Sequence, residues 1–214
     1  MRILSVNVGQ PQLAEFGGMQ ASTSIFKSPV EGRVAVRTLN IAGDAQADLT
    51  VHGGRAKAVY VYPHEHYAYW REELGDELVP GNFGENLTTQ GVLEETICIG
   101  DQLEIGSALF AVTQPRTPCY KLQFRFQRAD MTKRFFQSRR FGFYLAVVRE
   151  GEVGAGDEIR IAARDPNGVT VGDVIRLFAG DVRDGELVER ALRVHTLPTG
   201  WQEDLRMKRS TWGG

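Results

Sequence analysis

One short stretch of the sequence carries a single cysteine on a stiff, positively charged loop. Residues 113–122 read TQPRTPCYKL, and Cys119 lies between Arg116 and Lys121. Proline fixes φ and removes a backbone donor, so two prolines three residues apart predict a rigid exit from the preceding apolar run. Neighbouring cations favour the thiolate, which is the form that binds metals and attacks electrophiles. We therefore expect Cys119 to be the reactive cysteine of the chain.

A second stretch, residues 43–63, combines acids, a histidine, paired glycines and cations. Its candidates are Asp44, Asp48, His52, Gly53, Gly54, Arg55 and Lys57. Glycines let backbone amides approach a ligand closely, and flanking cations make an anion such as phosphate the natural guest. It is not a nucleotide-binding P-loop, because Gly-Lys-Ser/Thr is absent and a strand pattern follows. A tight turn with solvated basic side chains is the alternative interpretation.

Other polar positions carry weaker signals. The glycine-rich loop at 79–91 contains Asn86, and such loops suit hydrogen bonding to a polar heterocycle but also form ordinary turns. His64 and His66 are two residues apart, so on a helix they point in different directions and predict no zinc site. Cys98 lies in an apolar alternating run, which favours a packed and inert thiol.

The sequence excludes some of the reactions that a cysteine such as Cys119 could carry out. A thioredoxin-type site is excluded because no Cys-x-x-Cys occurs. A cysteine-protease dyad would need a histidine partner, and nothing in the sequence supports His52 in that role. What remains is a thiolate beside an anion-binding surface, which suits a soft metal carried by an anionic cofactor.

Composition indicates an ordinary globular protein. The 214 residues are 42% hydrophobic and 24% charged, with a formal net charge of −2. No overall positive field recruits nucleic acid or an acidic membrane. The chain shows no signal-peptide pattern and no run near the ~20 apolar residues of a membrane span, so we expect a cytoplasmic protein.

The pattern along the chain predicts an α+β fold that is mainly β. Short alternating runs predict strands at 2–8, 33–39, 57–62, 102–106, 108–114, 143–148 and 157–163. Dense turn signals between them favour a mixed or antiparallel barrel over residues 1–163. The sequence also predicts a helix from Pro63 to Gly75 and a helical stretch after Cys119 that breaks near Asp130, which would cap the next turn.

Residues 166–210 predict a small C-terminal domain of three short helices. Thr170 and Asp173 form a capping pair ahead of the first helix. Three such helices resemble a DNA-binding arrangement, but their alternating charges favour packing or partner docking over nucleic acid.

Four separated segments together resemble the MOSC domain family, and in order and spacing they are most similar to its bacterial YiiM-type members. The segments are residues 42–70, 81–92, 99–122 and 141–159. Those members join a MOSC β-barrel to a C-terminal three-helix domain. The resemblance therefore covers about the whole chain and implies the same two-part organisation.

The resemblance implies a molybdenum cofactor of the molybdopterin type. It implies Cys119 as the thiolate on molybdenum, with the pterin and its phosphate surrounded by Thr113, Arg116, His52, Gly53, Gly54, Lys57 and Asn86. Similar members reduce N-hydroxylated compounds such as hydroxylaminopurines, hydroxylamines and amidoximes to amines. For the protons of that reaction we expect His52 or Asp48 as a relay.

The predicted partners follow from what the sequence lacks. It has no Rossmann fingerprint and no haem or iron–sulfur cysteine pattern, so electrons must come from a separate protein, for which a flavin reductase is expected. The C-terminal helices are the expected docking element, and a homodimer is possible. Two alternatives stay open: a carrier of the cofactor or of Cys119 persulfide sulfur without its own turnover, and a non-catalytic binding module.

Overall fold

The structure is a computed structural model that describes residues 1–47 and 53–213. Within those residues the chain forms thirteen strands, six α-helices and two 3₁₀ turns. The strands are β1 (Arg2–Val8), β2 (Gln12–Phe16), β3 (Met19–Thr23), β4 (Ser28–Pro29), β5 (Arg33–Arg37), β6 (Asn40–Ile41), β7 (Val59–Pro63), β8 (Leu87–Gln90), β9 (Gln102–Ile105), β10 (Ala108–Pro115), β11 (Phe143–Arg149), β12 (Gly151–Gly154) and β13 (Ile159–Ala163). The helices are α1 (Glu65–Leu74), α2 (Lys121–Phe126), α3 (Met131–Ser138), α4 (Val171–Ala179), α5 (Gly185–Leu192) and α6 (Thr199–Ser210), and the 3₁₀ turns are Arg55–Lys57 and Thr211–Gly213.

Eight of these strands form one mixed sheet that curls into a barrel. Their order is β13-β9-β10-β11-β7-β8-β1-β4, and of these pairs only β7 and β8 run parallel. The Ile159 N–H donates to the Met1 carbonyl at 2.9 Å, and the Ile3 N–H donates to the Asp157 carbonyl at 2.9 Å. These bonds join β1 to the start of β13 at the opposite edge of the sheet. The prediction of an α+β, mainly β fold built on a mixed barrel is confirmed.

Two small sheets and three helices complete the barrel region. Strands β12, β5 and β6 form a three-stranded antiparallel sheet, and β2 and β3 form a separate hairpin. Helix α1 ends at Gly75 as predicted, where the glycine has φ 71°. Its predicted start is wrong by two residues, because Pro63 is the last residue of β7 and pairs with Thr89 of β8.

The helical stretch after Cys119 breaks where the sequence predicts, between α2 and α3. Asp130 stands at the N-terminus of α3, but its carboxylate makes no capping hydrogen bond. The carboxylate instead accepts from the Arg134 guanidinium, at 2.6 Å from Nε, and from Arg128 at 3.4 Å. The predicted capping role of Asp130 is therefore wrong, because two nearby arginines compete for the same oxygens.

The C-terminal region forms the three predicted helices, α4 to α6. The Thr170 hydroxyl accepts from the Asp173 N–H at 2.9 Å and the Asp173 carboxylate accepts from the Thr170 N–H at 3.0 Å, which confirms the capping pair. The Val171 N–H donates to the Ile97 carbonyl at 2.9 Å, so α4 begins against the barrel. Apolar side chains of these helices join one continuous core with the barrel. The division into domains at 1–163 and 166–210 stays a prediction.

Across the described residues, no helix combines the length and apolar character that crossing a bilayer requires.

Candidate active site

A cleft on the barrel has Cys119 on its wall. Its empty space, counted out to and including the open mouth, is about 810 Å³. Its walls come from segments within 23–27, 44–47, 83–86 and 116–121, together with Lys57, Tyr60 and Tyr144. The cleft therefore collects parts of the chain that are far apart in sequence around one thiol.

The two cysteines lie in different surroundings. Cys119 is half-buried and follows the end of β10, and its carbonyl accepts from the Leu122 N–H at 3.0 Å, where α2 begins. Cys98 lies away from the cleft, in a β-bridge with Thr170. Burial raises the pKa of Cys98, and the neighbouring Asp101 carboxylate adds to that rise. Cys98 is thus a poor thiolate, as expected of a packed cysteine.

Arg116 is a buried cation of the cleft wall. It is 6% exposed, and its guanidinium carbon lies 5.1 Å from the Tyr60 ring centre and 5.0 Å from that of Phe135. Among the described residues, its Nη1 atom has no hydrogen-bond partner and no carboxylate forms an ion pair with the guanidinium. A buried guanidinium with an unpaired donor costs free energy unless an acceptor joins it. The Arg116 guanidinium in the cleft wall would therefore be stabilised by an anionic ligand.

Groups of the Cys119 loop also act electrostatically on Tyr144, which belongs to strand β11. Burial raises the pKa of Tyr144, which lines the cleft; the Arg116 charge opposes that rise and Cys119 adds to it. Cys119, Arg116 and Tyr144 thus lie close enough for each charge to act on the others.

Three lysines complete the positive lining. Lys121 is 9% exposed, and Lys57 is half-buried with its pKa lowered by that burial. Lys27 forms an ion pair with Asp44, the one carboxylate among the described lining residues. Together with Arg116, these side chains give the described lining four cations and one anion. Such a cleft favours an anionic ligand.

Asn86 ties two walls of the cleft together. Its side-chain NH₂ donates to the Asp44 carboxylate at 2.9 Å and to the Asn7 carbonyl at 3.3 Å. Its side-chain oxygen accepts from the Tyr60 N–H at 3.1 Å. The side-chain NH₂ group and the side-chain oxygen of Asn86 are therefore both bonded within the protein. Asn86 lines the cleft, but its amide holds the protein together rather than reaching for a ligand.

Glu85 holds the loop that forms another wall. It is 0% exposed, and its carboxylate accepts hydrogen bonds from four groups. These donors are the Tyr67 hydroxyl, the Gly81 N–H at 2.8 Å, the Phe83 N–H at 3.0 Å and the Thr88 hydroxyl at 2.8 Å. Burial raises the pKa of Glu85, and these donors oppose the rise. The carboxylate thereby fixes the loop that presents Phe83 to the cleft.

We expect the change Glu85→Ala to lower the free energy of unfolding by about 3–5 kcal/mol, because it leaves several buried donors without an acceptor. Urea denaturation of the cofactor-free protein measures this loss. The matched control is Glu104→Ala, since Glu104 is half-exposed and pairs with Arg160 at 3.5 Å. Surface pairs contribute little, so this change should leave the midpoint nearly unmoved. Equal midpoints for both variants would contradict the role of Glu85.

Three comparisons with known proteins agree with one another. The family model of the MOSC domain matches residues 48–160, which is more than half of the chain. The protein YflK of Bacillus subtilis (strain 168) is 39% identical over 207 residues, covering 97% of this chain and 94% of that protein. The crystal structure of YiiM from Geobacillus stearothermophilus is 30% identical, covers 97% of this chain and 98% of that chain, and has a TM-score of 0.81. A protein named Reductase from Gibberella moniliformis is 34% identical over 166 residues, 76% of this chain and 29% of that protein.

The chain belongs to the MOSC domain family. Its similarity to YiiM over nearly the full length of both chains makes it a YiiM-type member, as the sequence predicts. The matched part of the MOSC domain contains Cys119 and its cationic neighbours Arg116, Lys57 and Lys121. Lys27 and Asp44 precede the matched residues, so the N-terminal segment supplies one wall of the cleft.

The MOSC structure brings some of the predicted cofactor residues together and leaves others apart. Cys119, Arg116, Lys57 and Asn86 line the same cleft. Thr113 does not line it; its hydroxyl lies 2.6 Å from the Ala56 carbonyl and 3.0 Å from the Tyr144 carbonyl. There Thr113 fastens the 3₁₀ turn to the barrel strands.

The paired glycines lie outside the described lining as well. Gly53 is half-exposed, and Gly54 is exposed with φ 92°, a conformation that side chains disfavour. A Cβ at Gly54 would meet no atom of the described residues within 4 Å. The predicted proton relays, Asp48 and His52, lie outside the described residues. The roles predicted for all of these residues stay predictions.

Several lining residues of the MOSC cleft were not among the predicted site residues. Tyr60 and Tyr144 belong to strands with apolar alternation, where an inward tyrosine looks like core. Lys121 had a signal, since it stands two residues after Cys119. Lys27 had none, because it is a lone lysine between a hairpin and a turn.

The described residues contain no group of three or more His, Cys, Asp or Glu side chains that could hold a metal.

Proposed function

We propose that the chain is an oxidoreductase that binds a molybdenum–molybdopterin cofactor in the cleft and reduces N-hydroxylated compounds to amines. The expected substrates are hydroxylaminopurines, hydroxylamines and amidoximes. The observation that carries the proposal is Arg116, a buried guanidinium with an unpartnered Nη1 in the wall that also presents Cys119. The relative named Reductase supports the oxidoreductase class.

The residues present fit such a cofactor. A thiolate is a soft ligand suited to molybdenum, and Cys119 is half-buried at the cleft wall. The pterin side of the cofactor carries a phosphate, for which guanidinium and ammonium groups are the preferred partners. Arg116, Lys57 and Lys121 would hold that negative charge, because the Lys27 charge is already matched by Asp44.

The chain's own contribution is binding, orientation and control of water and protons. When bound, the cofactor supplies two-electron redox chemistry, which no side chain of the protein can provide. Cys119 would hold the metal end of the cofactor, and Arg116, Lys57 and Lys121 would hold its phosphate end. The rings of Tyr60, Phe83 and Tyr144 form the apolar part of the wall and limit the water around the reacting N–O bond.

The overall reaction takes up two electrons and two protons: R–NHOH becomes R–NH₂ and water. The electrons come from a separate donor protein, for which we propose a flavin reductase. The protons reach the cleft through its side chains and the water at its mouth.

The proposed function is tested by metal analysis combined with turnover. The protein is purified from a host that makes the cofactor, its molybdenum content is measured, and hydroxylaminopurine is offered with a chemical reductant. We expect about one molybdenum per chain and formation of the aminopurine. Protein that holds no molybdenum, even after reconstitution, would overturn the proposal. Protein that holds molybdenum but does not turn over would instead be a cofactor carrier.

A further inference from the structure

The ion pair between Lys27 and Asp44 is buried in the cleft wall. The Lys27 side chain is 8% exposed and that of Asp44 is 2% exposed. Burying an ion pair costs desolvation energy that packed apolar side chains would not incur. The pair also lines the cleft, and stability alone does not explain an ion pair at this position. A functional role in the cleft does.

The pair is held rigidly from several sides. The Asp44 carboxylate accepts from the Gly9 N–H at 2.8 Å and from the Asn86 amide at 2.9 Å, in addition to Lys27. A Cβ at Gly9 would come within 3.2 Å of Lys27 Cγ, and a Cβ at Gly81 would come within 2.7 Å of the Lys27 carbonyl. The absence of side chains at both glycines lets the backbone close around Lys27. The position of the ammonium is therefore set by the fold.

Two N–H groups of the Lys27 ammonium remain for a group in the cleft. A lysine ammonium has three donors, and within the described residues Lys27 donates only to Asp44. The other charge acting on it from a packed element is Glu85, which is buried behind the cleft wall. Elsewhere on the described cleft wall the charged or ionisable groups are Lys57, Tyr60, Arg116, Cys119, Lys121 and Tyr144.

We propose that Lys27 is the catalytic acid that protonates the substrate nitrogen as its N–O bond breaks, with Asp44 as the residue that positions it. This inference rests on the proposed function. The N–O bond breaks and an N–H bond forms with the Lys27 proton, while the oxygen leaves as water with a second proton from solvent. The two electrons come from the reductant of the reaction. The neutral Lys27 amine then regains its proton from water at the open mouth of the cleft.

The protonation behaviour of Lys27 supports this role. Burial lowers the pKa of Lys27, and the Asp44 carboxylate, with Glu85, limits the fall. A lowered pKa makes the ammonium a stronger acid and brings it closer to the pH at which enzymes work. The Asp44 carboxylate favours the protonated form, which is the form that can donate a proton.

The first test uses cofactor-free protein and needs no activity. Nitrogen-15 NMR of the lysine side chains follows each ammonium through a pH titration, and the signal of Lys27 is identified by its loss in Lys27→Met. Lys133, exposed on α3, is the reference lysine in the same sample. We expect Lys27 to lose its proton at lower pH than Lys133, and in Asp44→Asn at lower pH still. Titration of Lys27 at or above the pH of Lys133 would overturn the proposal.

The second test separates proton donation from charge. Lys27→Met removes the proton, whereas Lys27→Arg keeps the positive charge and the Asp44 pairing but cannot give up a proton at working pH. With a chemical reductant, we expect kcat to fall by about 100-fold or more in both variants, with molybdenum content and KM close to wild type. The wild-type kcat should decline as pH rises through the value found by NMR, and Lys27→Arg should lack that decline. The surface control Lys133→Arg should match the wild type.

The outcomes distinguish the inference from the proposed function. Wild-type kcat in Lys27→Arg would show that Lys27 supplies charge alone and would overturn the catalytic role, while the oxidoreductase proposal would stand. Because Lys27→Arg preserves the ion pair, it decides the matter even if Lys27→Met does not fold. Wild-type protein without molybdenum or turnover would overturn both proposals.

Discussion

The change Cys119→Ala should yield a folded protein that neither retains molybdenum nor reduces hydroxylaminopurine. The thiolate of Cys119 is the only protein group proposed to bind the metal, and no other described cluster of ligands can replace it. Even partners outside the direct ligands of a metal change its affinity by about 10–100-fold, so losing the ligand itself should exceed that loss. Metal analysis after gel filtration and steady-state turnover with a chemical reductant measure both effects.

The matched control for this prediction is Cys98→Ala. Cys98 is half-buried, its pKa is raised by burial, and it lies in a β-bridge away from the cleft. This variant should keep its molybdenum and its kcat, with a modest loss of stability from the lost packing. If both variants retained metal equally, Cys119 would not be the metal ligand and the cofactor would have to be held by its phosphate end alone.

The strands that the sequence predicts are those whose alternation reflects one buried face. For example, β1 and β10 carry long apolar patterns and form where expected. Strand β8 was missed because its sequence, LTTQ, looks polar, although Thr88 and Thr89 are buried in the barrel. Hydrogen bonds such as that from the Thr88 hydroxyl to Glu85 make this burial tolerable, and they depend on residues that local pattern cannot reveal.

The hairpin of β2 and β3 and the strand β12 were missed for other reasons. Leu13 and Met19 lie on opposite faces of the hairpin and both remain exposed, so no apolar alternation marks the strands. Strand β12 begins and ends with glycine, and such a segment looks like a turn. A Cβ at Gly151 would come within 2.5 Å of the Ser107 carbonyl carbon, so this glycine serves close strand packing rather than a turn.

The candidate site likewise contains residues that the sequence could predict and residues that it could not. Cys119, Arg116 and Lys121 are neighbours in sequence, so their association could be predicted from the stretch that contains them. Lys27 and Asp44 reach the cleft only because β1 pairs with β8 and thereby brings the N-terminal segment beside Asn86. The resemblance implies a cofactor-binding role for Thr113, which stays a prediction; its hydroxyl bonds to the Ala56 and Tyr144 carbonyls, a contact that the sequence alone does not reveal.

Replacing Arg116 should change stability and cofactor binding in opposite directions. In the cofactor-free protein the Arg116 guanidinium is buried. Among the described residues its Nη1 has no hydrogen-bond partner, and no carboxylate forms an ion pair with it. Methionine has a similar length and fills irregular apolar space beside Tyr60 and Phe135. We expect Arg116→Met to raise the free energy of unfolding of the cofactor-free protein by about 1 kcal/mol, because the desolvation cost of the buried charge exceeds the loss of its cation–π contacts and its hydrogen bond to Tyr144.

The same variant should bind the cofactor poorly. Removing the buried cation takes away a charge-assisted partner of the ligand's anionic end, so molybdenum retention should fall by about 10-fold or more. Urea denaturation of cofactor-free protein and metal analysis of protein from a cofactor-producing host measure the two effects separately.

The control for Arg116 is a second arginine that contacts an aromatic ring but does not line the cleft. Arg140 lies 4.0 Å from the centre of the Tyr69 ring, and its Nη1 donates to the Ser138 carbonyl at 3.1 Å. Arg140→Met should therefore lower stability while leaving molybdenum retention unchanged. A buried cation kept for a ligand destabilises the empty protein, whereas one kept for the fold stabilises it. If Arg116→Met were as destabilising as Arg140→Met and retained its metal, Arg116 would be a structural arginine and the anion site would have to rest on the lysines.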